Sequence, residues 1–274
     1  MPGWPVAVIM GRTKGTRMSD WNPESYLKFE RERTLPVHDL VARIEMANPA
    51  RIIDLGCGPG NSTAVLKERW PAARIIGLDR SPAMIEKARK TRSDIEWVEG
   101  DAGADLSYLG SFDLVFANAS LQWLPNHGEL MPRLLQRANN GGALAVQIPK
   151  FEEMPIAAAI RESTNLPRYA GLFTGFESGL HSFGDADYYD ALHGSSRAID
   201  LWVTHYYHVL ENQPAIIEWT KSTGMRPYLE RLPENEREGF MAEVLKRAKR
   251  AYPAQRDGKV LFIFKRLFFI AYKR

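Results

Sequence analysis

Cysteine is nearly absent from this chain of 274 residues, with Cys57 as its one example. No intramolecular disulfide can form, and the usage fits a reducing compartment, so a cytoplasmic location is expected. Long apolar runs are lacking as well. The richest pieces, VLFIF and LFFIAY, are separated by Lys265 and Arg266, and neither reaches the length of a membrane span. The early VAVIM stretch is too short for the apolar centre of a secretory leader and has no basic residue before it. No acid occurs in the first 17 residues, so Arg12, Lys14 and Arg17 account for the whole formal charge of +3. Residues 18–274 are therefore neutral overall, which argues against a nucleic-acid partner, since such a partner would call for a basic patch on the core. Internal repeats, low-complexity segments and zinc-ligand spacings are missing, and no metal site is expected.

What is present is the composition of an ordinary globular domain, 45% hydrophobic and 25% charged. We read residues 1–17 as a disordered extension and 18–274 as a single domain. Short β-rich runs at 51–55, 74–78, 95–99, 112–118 and 143–148 alternate with helical patterns, which predicts a parallel sheet with helices on both faces. SPAMIEKARK offers Ser81 as a helix cap and Pro82 at the first helical position. ELMPRLLQRANNGG reads as a helix closed by Gly141 and Gly142. After Pro149 the texture changes. Residues 151–196 read as an irregular or helical insertion, 198–210 as an aromatic strand, 214–230 and 233–251 as amphipathic helices, and 259–272 as a last strand. The fold class expected is α/β, a doubly wound and mostly parallel seven-stranded sheet. Its insertions, 151–196 and 213–252, are expected over the carboxyl edge of the strands on the substrate side.

The stretch RIIDLGCGPGNSTAVL, 51–66, carries three alternating glycines. The dinucleotide fingerprint G-x-G-x-x-G would place its third glycine where Asn61 stands, so a nicotinamide cofactor is disfavoured. No lysine follows to reach a phosphate, which disfavours a nucleoside triphosphate. Asp54, at the mouth of the strand, would repel a pyrophosphate and attract a cation. Cys57 has no base in its sequence context and reads as a packing residue rather than a nucleophile.

Taken in order, DLGCGPGNST, IIGLDRSPAMIEKAR, VEGDA and FDLVFANASLQWL resemble the motif series of class I S-adenosylmethionine-dependent methyltransferases. The segments WNPESYLKFERERTLP, NASLQWLPNH, AIIEWTKSTGMRPYLE and AYPAQRDGKVL are similar to the members of that family that methylate small polycarboxylic acids. The resemblance implies S-adenosylmethionine as cofactor and S-adenosylhomocysteine as product. It also implies a monomethyl ester formed on a carboxylate, with trans-aconitate the expected acceptor and a malonyl group on a carrier protein the alternative. On it, Gly56, Gly58 and Asn61 border the nucleoside, Asp54 holds the methionine ammonium and Asp79 accepts from the ribose hydroxyls. Arg80 and Met84 flank the adenine, Asp101 and Ala102 meet its edge, and Asn118 faces the methyl-bearing end. Tyr26 and Arg33, with Trp21 and Phe29, would lie over the cofactor.

A carboxylate acceptor arrives ionised at neutral pH, so no catalytic base is expected. Its remaining carboxylates would need cationic partners. Candidates for the acceptor site are Trp123, His181, Trp202, His205, Tyr206 and Arg226, with Arg168 and Arg197 weighed beside them. A monomer or weak dimer without a membrane partner completes the expectation.

Overall fold

The structure is a computed structural model and describes residues 30–274. The expected lid residues Trp21, Tyr26 and Phe29, and the 1–17 extension, lie outside the described residues. Among the described residues, seven strands form one sheet: β1 (Arg51–Leu55), β2 (Arg74–Asp79), β3 (Glu96–Glu99), β4 (Phe112–Asn118), β5 (Ala138–Pro149), β6 (Ser196–Leu210) and β7 (Val260–Lys273). Their order across the sheet is β3-β2-β1-β4-β5-β7-β6. The first five are mutually parallel, and β7 runs antiparallel to both β5 and β6. This is the Rossmann-like methyltransferase sheet that the resemblance implied.

Strand parity explains why the sheet is covered twice. Ile53, Leu55, Ile76, Leu78, Val115, Ala117, Leu144 and Val146 face one layer, which is closed by Leu130, Leu134, Leu135, Tyr188 and Leu192. Ile52, Ile75, Leu114, Phe116, Ala143 and Ala145 face the other, closed by Val37, Leu40, Val41, Val65 and Leu66. Strands buried on both faces need such unbroken apolar runs. The helices that supply these covers are α1 (Glu30–Arg43), α2 (Asn61–Arg69), α4 (His127–Gln136) and α6 (Asp185–Leu192); α3 (Pro82–Thr91) packs Ile85 and Ala88 in a smaller cluster with Cys57, Ile95 and Trp97, and α5 (Pro155–Thr164) belongs to the cap described below. Ser81 caps α3 as expected, its Oγ accepting from the Met84 amide at 3.4 Å.

One expected boundary is corrected. The helix before β5 ends at Gln136, and Asn139 to Gly142 belong to an irregular opening of β5 rather than to a helix exit. The register jumps there from Phe112↔Ala138 to Leu114↔Ala143. Gly141 sits at φ 76° and a Cβ on Gly142 would lie 2.7 Å from the Asp113 carbonyl oxygen, so both glycines serve a bulge. The segment read as one helix over 214–230 is two, α7 (Gln213–Lys221) and α8 (Arg226–Arg231), followed by α9 (Glu234–Ala251).

Strands β6 and β7 outrun the rest of the sheet. Residues 266–272 of β7 pair with β5, whereas 260–265 pair with 205–210 of β6 and not with β5. This two-stranded ribbon projects past the carboxyl end of β5 and bears a separate core. Phe262 and Phe264 from the ribbon meet Ile156 and Ile160 of α5, Trp219 of α7 and Phe240 and Val244 of α9. Most of the insertions expected at 151–196 and 213–252 thus fold as a cap on the ribbon, but Asp185–Leu192 covers the sheet instead, through Tyr188 and Leu192. Phe240 is fully buried, edge-on to Tyr169 at 5.3 Å and tilted against Phe173 at 5.7 Å. We expect Phe240→Ala to cost about 3 to 5 kcal/mol in urea unfolding, since the surrounding rings cannot collapse into the space left behind.

Candidate active site

The chain reverses direction across the sheet between β1 and β4, and open α/β sheets bind ligands in the crevice that such a reversal leaves. A cleft of about 720 Å³, open mouth included, occupies that position. Its walls bring together Gly56, Gly58, Asp79, Arg80, Met84, Asp101, Ala102, Asn118 and Trp123, all singled out from the sequence. Ala119, Ser120 and Leu124, which line it too, carry no sequence signal of their own.

The glycine turn is tighter than a ligand alone would require. Gly56 adopts φ 70°, and a Cβ there would lie 2.3 Å from the Ser120 Cβ. Gly60, at φ 100°, would place a Cβ 2.8 Å from the Trp97 ring. These two glycines are demanded by the protein's own packing. Only Gly58, at φ 56° and with nothing within 4 Å of where a Cβ would stand, leaves open space toward the cleft. Cys57 is buried between them, in contact with the α3 core, and burial pushes its thiol up.

Asp79 ties the turn to β2. Its Oδ2 accepts from the Gly58 amide at 2.9 Å and its Oδ1 from the Ser81 amide at 2.8 Å. Burial raises its pKa, while these backbone donors pull the other way. Asp101, two residues past the end of β3, is exposed and accepts from the Gly103 amide at 2.7 Å. Asn118 ends β4 beside Ala119, whose φ of 51° is unusual for a residue with a Cβ. The Asn118 Oδ1 is buried with no hydrogen-bond partner among the described residues.

Three expected cofactor residues stand elsewhere. Asp54 is fully buried beneath the turn, not in the cleft wall, because its Oδ2 accepts from Ser62 Oγ at 2.6 Å and Thr63 Oγ1 at 2.7 Å and so pins the start of α2. Asn61 and Arg33 line a smaller cavity of about 320 Å³ with Gly56, Ser62 and Asn118.

Beyond Asn118, Ala119 and Trp123 the cleft continues into a second chamber of about 610 Å³ under the cap. Arg33, Arg266, Gln122 and Thr223 supply its polar lining, and Phe151, Leu180, Trp219 and Phe264 much of its apolar lining. Of the residues expected for the acceptor, Trp123 lines it and the others do not. The His181 amide donates to the Gln122 carbonyl at 2.7 Å, one residue from the lining Leu180. Arg226 is buried against Glu230 at 2.7 Å. Trp202 stacks on Phe268 at 5.1 Å, with the Arg43 guanidinium 4.3 Å above it. Tyr206 bonds Asp39 of α1 through its hydroxyl, while His205, its neighbour on the strand, is exposed. Adjacent strand residues point to opposite faces, so these two cannot share a site. Arg168 is exposed and paired with Glu236, and Arg197 lies over Tyr272. Among the described residues no three acids, histidines or cysteines gather to hold a metal, and no helix is long and apolar enough to cross a membrane.

Known proteins resemble the chain in sequence and in fold. Residues 52–142 match a family model described as a methyltransferase domain. Over 254 residues the chain is 44% identical to Trans-aconitate 2-methyltransferase of Escherichia coli strain K12, covering 93% of this chain and 98% of that protein. Among solved structures, the YcgJ protein of Bacillus subtilis superposes with a TM-score of 0.57 at 13% identity, covering 87% of this chain and 97% of its own. A phosphoethanolamine N-methyltransferase of Haemonchus contortus, in complex with phosphomonomethylethanolamine and S-adenosylhomocysteine, gives 0.52 at 13% identity, covering 87% of this chain and 53% of its own. These two likenesses bear on the fold.

The buried Asp54 makes a test independent of any ligand. Burial lifts its pKa from 3.8 to about 6, against the pull of the Ser62 and Thr63 hydroxyls. The native state therefore holds this proton more tightly than the unfolded chain does. The stabilising contribution is full below about pH 4 and lost as pH rises through about 6. In urea titrations at a series of pH values, the stability of Asp54→Asn relative to the native chain should rise by up to about 3 kcal/mol between pH 4 and 7.

Proposed function

Since the chain belongs to the trans-aconitate 2-methyltransferase family of S-adenosylmethionine-dependent methyltransferases, we propose that it transfers a methyl group to a carboxylate of trans-aconitate. The observation that carries this reading is the pair of joined cavities: one lined by Asp79 and Asp101, the other by Arg33 and Arg266, meeting at Asn118, Ala119 and Trp123. The first suits a nucleoside with a cationic head, the second an anion.

The residues of the cleft fit the cofactor. Gly58 leaves backbone bare toward the opening, and Asp79, fixed by two amides, keeps lone pairs for a diol. The buried Asn118 oxygen, unmatched among the described residues, faces the join. On this reading Asp79 holds the ribose, Arg80 and Met84 flank the adenine, Asp101 and Ala102 meet its edge, and Asn118 serves the methionine end. When bound, S-adenosylmethionine supplies a methyl group already activated by its sulfonium. What remains for the protein is alignment and exclusion of water.

The acceptor carboxylate, with an ordinary pKa of about 4, is a nucleophile at neutral pH without proton removal. Trp219, Phe264, Phe151 and Leu180 keep its chamber apolar, and the arginines hold the anion in place. His208, behind Trp219 at 4.8 Å, has its pKa pushed down to about 4 by burial and by Arg266, so it stays neutral and adds no charge. The same reading takes the enzyme to work in the cytoplasm as a monomer or weak dimer on a free small molecule, without a nucleic acid or membrane partner.

A labelled-methyl assay comparing trans-aconitate, cis-aconitate, citrate and malonyl carrier protein tests it: trans-aconitate should give the dominant ester, and predominant labelling of the carrier protein would overturn the acceptor. Asp79→Ala should weaken S-adenosylhomocysteine binding in calorimetry by about 1 to 3 kcal/mol, the loss of a charge-assisted pair of hydrogen bonds. The kcat should stay flat between about pH 7 and 9, where a required base would impose a titration.

A further inference from the structure

Arg266 is an unusual residue to find in the middle of a sheet. It belongs to β7, in register with Pro149 of β5 and Thr204 of β6, and is only 3% exposed. Its Nη1 donates to Gln147 Oε1 at 3.0 Å, and its guanidinium lies 4.3 Å from the Phe264 ring centroid and 5.9 Å from that of Tyr206. An amide and two rings therefore fix the plane of the fork.

Gln147 links this fork to the junction of the two cavities. It is fully buried, and its backbone carbonyl accepts from the Ala119 amide at 3.0 Å, holding the left-handed residue that borders both spaces. One residue thus positions the cationic fork through its side chain and the floor of the junction through its backbone. Arg33 enters the same chamber from α1, its Nη2 donating to Ser222 Oγ at 3.3 Å and its guanidinium 5.6 Å from the Trp219 ring. Among the described residues, the chamber lining contains these two arginines and no aspartate or glutamate. An acceptor with one carboxylate would use only part of it.

We propose that Arg266, held in place by Gln147, is the specificity-determining residue of the acceptor chamber, and that with Arg33 it binds the carboxylates that are not methylated. The inference rests on the methyl-transfer reading above and adds to it a reason for polycarboxylates: the second and third carboxylates are what the arginines read. Gln147 acts as a positioning residue and does not itself meet the reacting atoms.

The test uses the full chain with S-adenosylhomocysteine for binding and S-adenosylmethionine for turnover. In Arg266→Gln, the KM for trans-aconitate and its calorimetric Kd in the presence of S-adenosylhomocysteine should both rise by about 30-fold or more. The affinity for S-adenosylhomocysteine alone should be unchanged, and the preference for trans-aconitate over the monocarboxylate crotonate should collapse. Arg266→Lys, which keeps the charge and loses the fork, should recover part of the loss. Gln147→Leu should raise KM with kcat and S-adenosylhomocysteine affinity retained. Should Arg266→Gln fail to bind S-adenosylhomocysteine, the Lys and Leu variants carry the same criteria. A native chain that labels trans-aconitate while Arg266→Gln keeps its KM overturns this assignment alone, as does full retention of KM by both Arg266→Lys and Gln147→Leu. A native chain that labels no polycarboxylate overturns it together with the reading beneath it.

Discussion

The close approach of Gly56 to Ser120 is the constraint on which the site depends. It brings the end of β1 against the chain leaving β4, with the Ser120 hydroxyl donating to the Leu55 carbonyl at 2.6 Å. A side chain at position 56 would separate these ends and open the floor of the crevice. The turn is then locked from the other side by Asp79, which spans from the Gly58 amide to the Ser81 amide. Three strand ends are thereby held in fixed relation by two short side chains bonded to backbone, which lose little entropy on binding because they are already ordered. Asp54, beneath, fastens the start of α2 to the same turn. Its unfavourable burial is the cost of keeping two hydroxyls and a helix start in one place.

The second dependence is longitudinal. Strands β6 and β7 continue six residues beyond the end of the β5 pairing, and the cap packs on that extension. Because the ribbon is continuous with the sheet, the chamber beneath the cap is referenced to the same rigid frame as the cleft. Arg266 sits where the three-stranded part of β7 gives way to the two-stranded part. A residue at that point is rigid like the core, yet borders the cavity that the extension creates. Lys150 and Glu153, just past β5, reinforce that transition with ion pairs to Asp185 and Lys265.

Much of this is legible in the sequence because local rules decide it. The first two of the alternating glycines after an apolar run, an acid closing β2, another just past β3 and an asparagine closing β4 all fall in the cleft wall, since strand ends are set by short-range pattern. The acceptor side is not legible. The aromatic strand offers His205, Tyr206 and Trp202, which are chemically suggestive, but the decisive facts are which face each presents and where α1 lies. Tyr206 is taken by Asp39 and Trp202 by Arg43 and Phe268, contacts of long sequence separation that no spacing encodes. Arg266 interrupts an apolar run, a feature that reads first as a membrane-span breaker. The better signal is its improbability. A charge between VLFIF and LFFIAY falls in a strand that must be buried, and a fully buried arginine is rare unless it is paired. Likewise the glycines read as making way for a ligand, when two of the three make way for Ser120 and Trp97.

Arg80 aside, which lines the cleft beside Asp79, the charges of the two cavities are sorted by sign in a way that follows from this frame. Asp79 and Asp101 stand at carboxyl ends of parallel strands, where the turns into the following segments present backbone amides that stabilise carboxylates. The antiparallel strand β7 contributes no such end to the crevice. It passes the site mid-strand, so what it offers is a side chain held between two neighbours, and an arginine there is braced on both sides. Parallel topology on one half of the switch point thus favours acids fixed by loops, and the antiparallel insertion on the other half favours a cation fixed by strands. A reaction that joins a cationic donor to an anionic acceptor needs that separation, with the two kept apart by the uncharged Asn118, Ala119 and Trp123. Moving either sign across the junction would place like charges beside their own ligand and, in so apolar a chamber, would oppose binding more strongly than any lost contact.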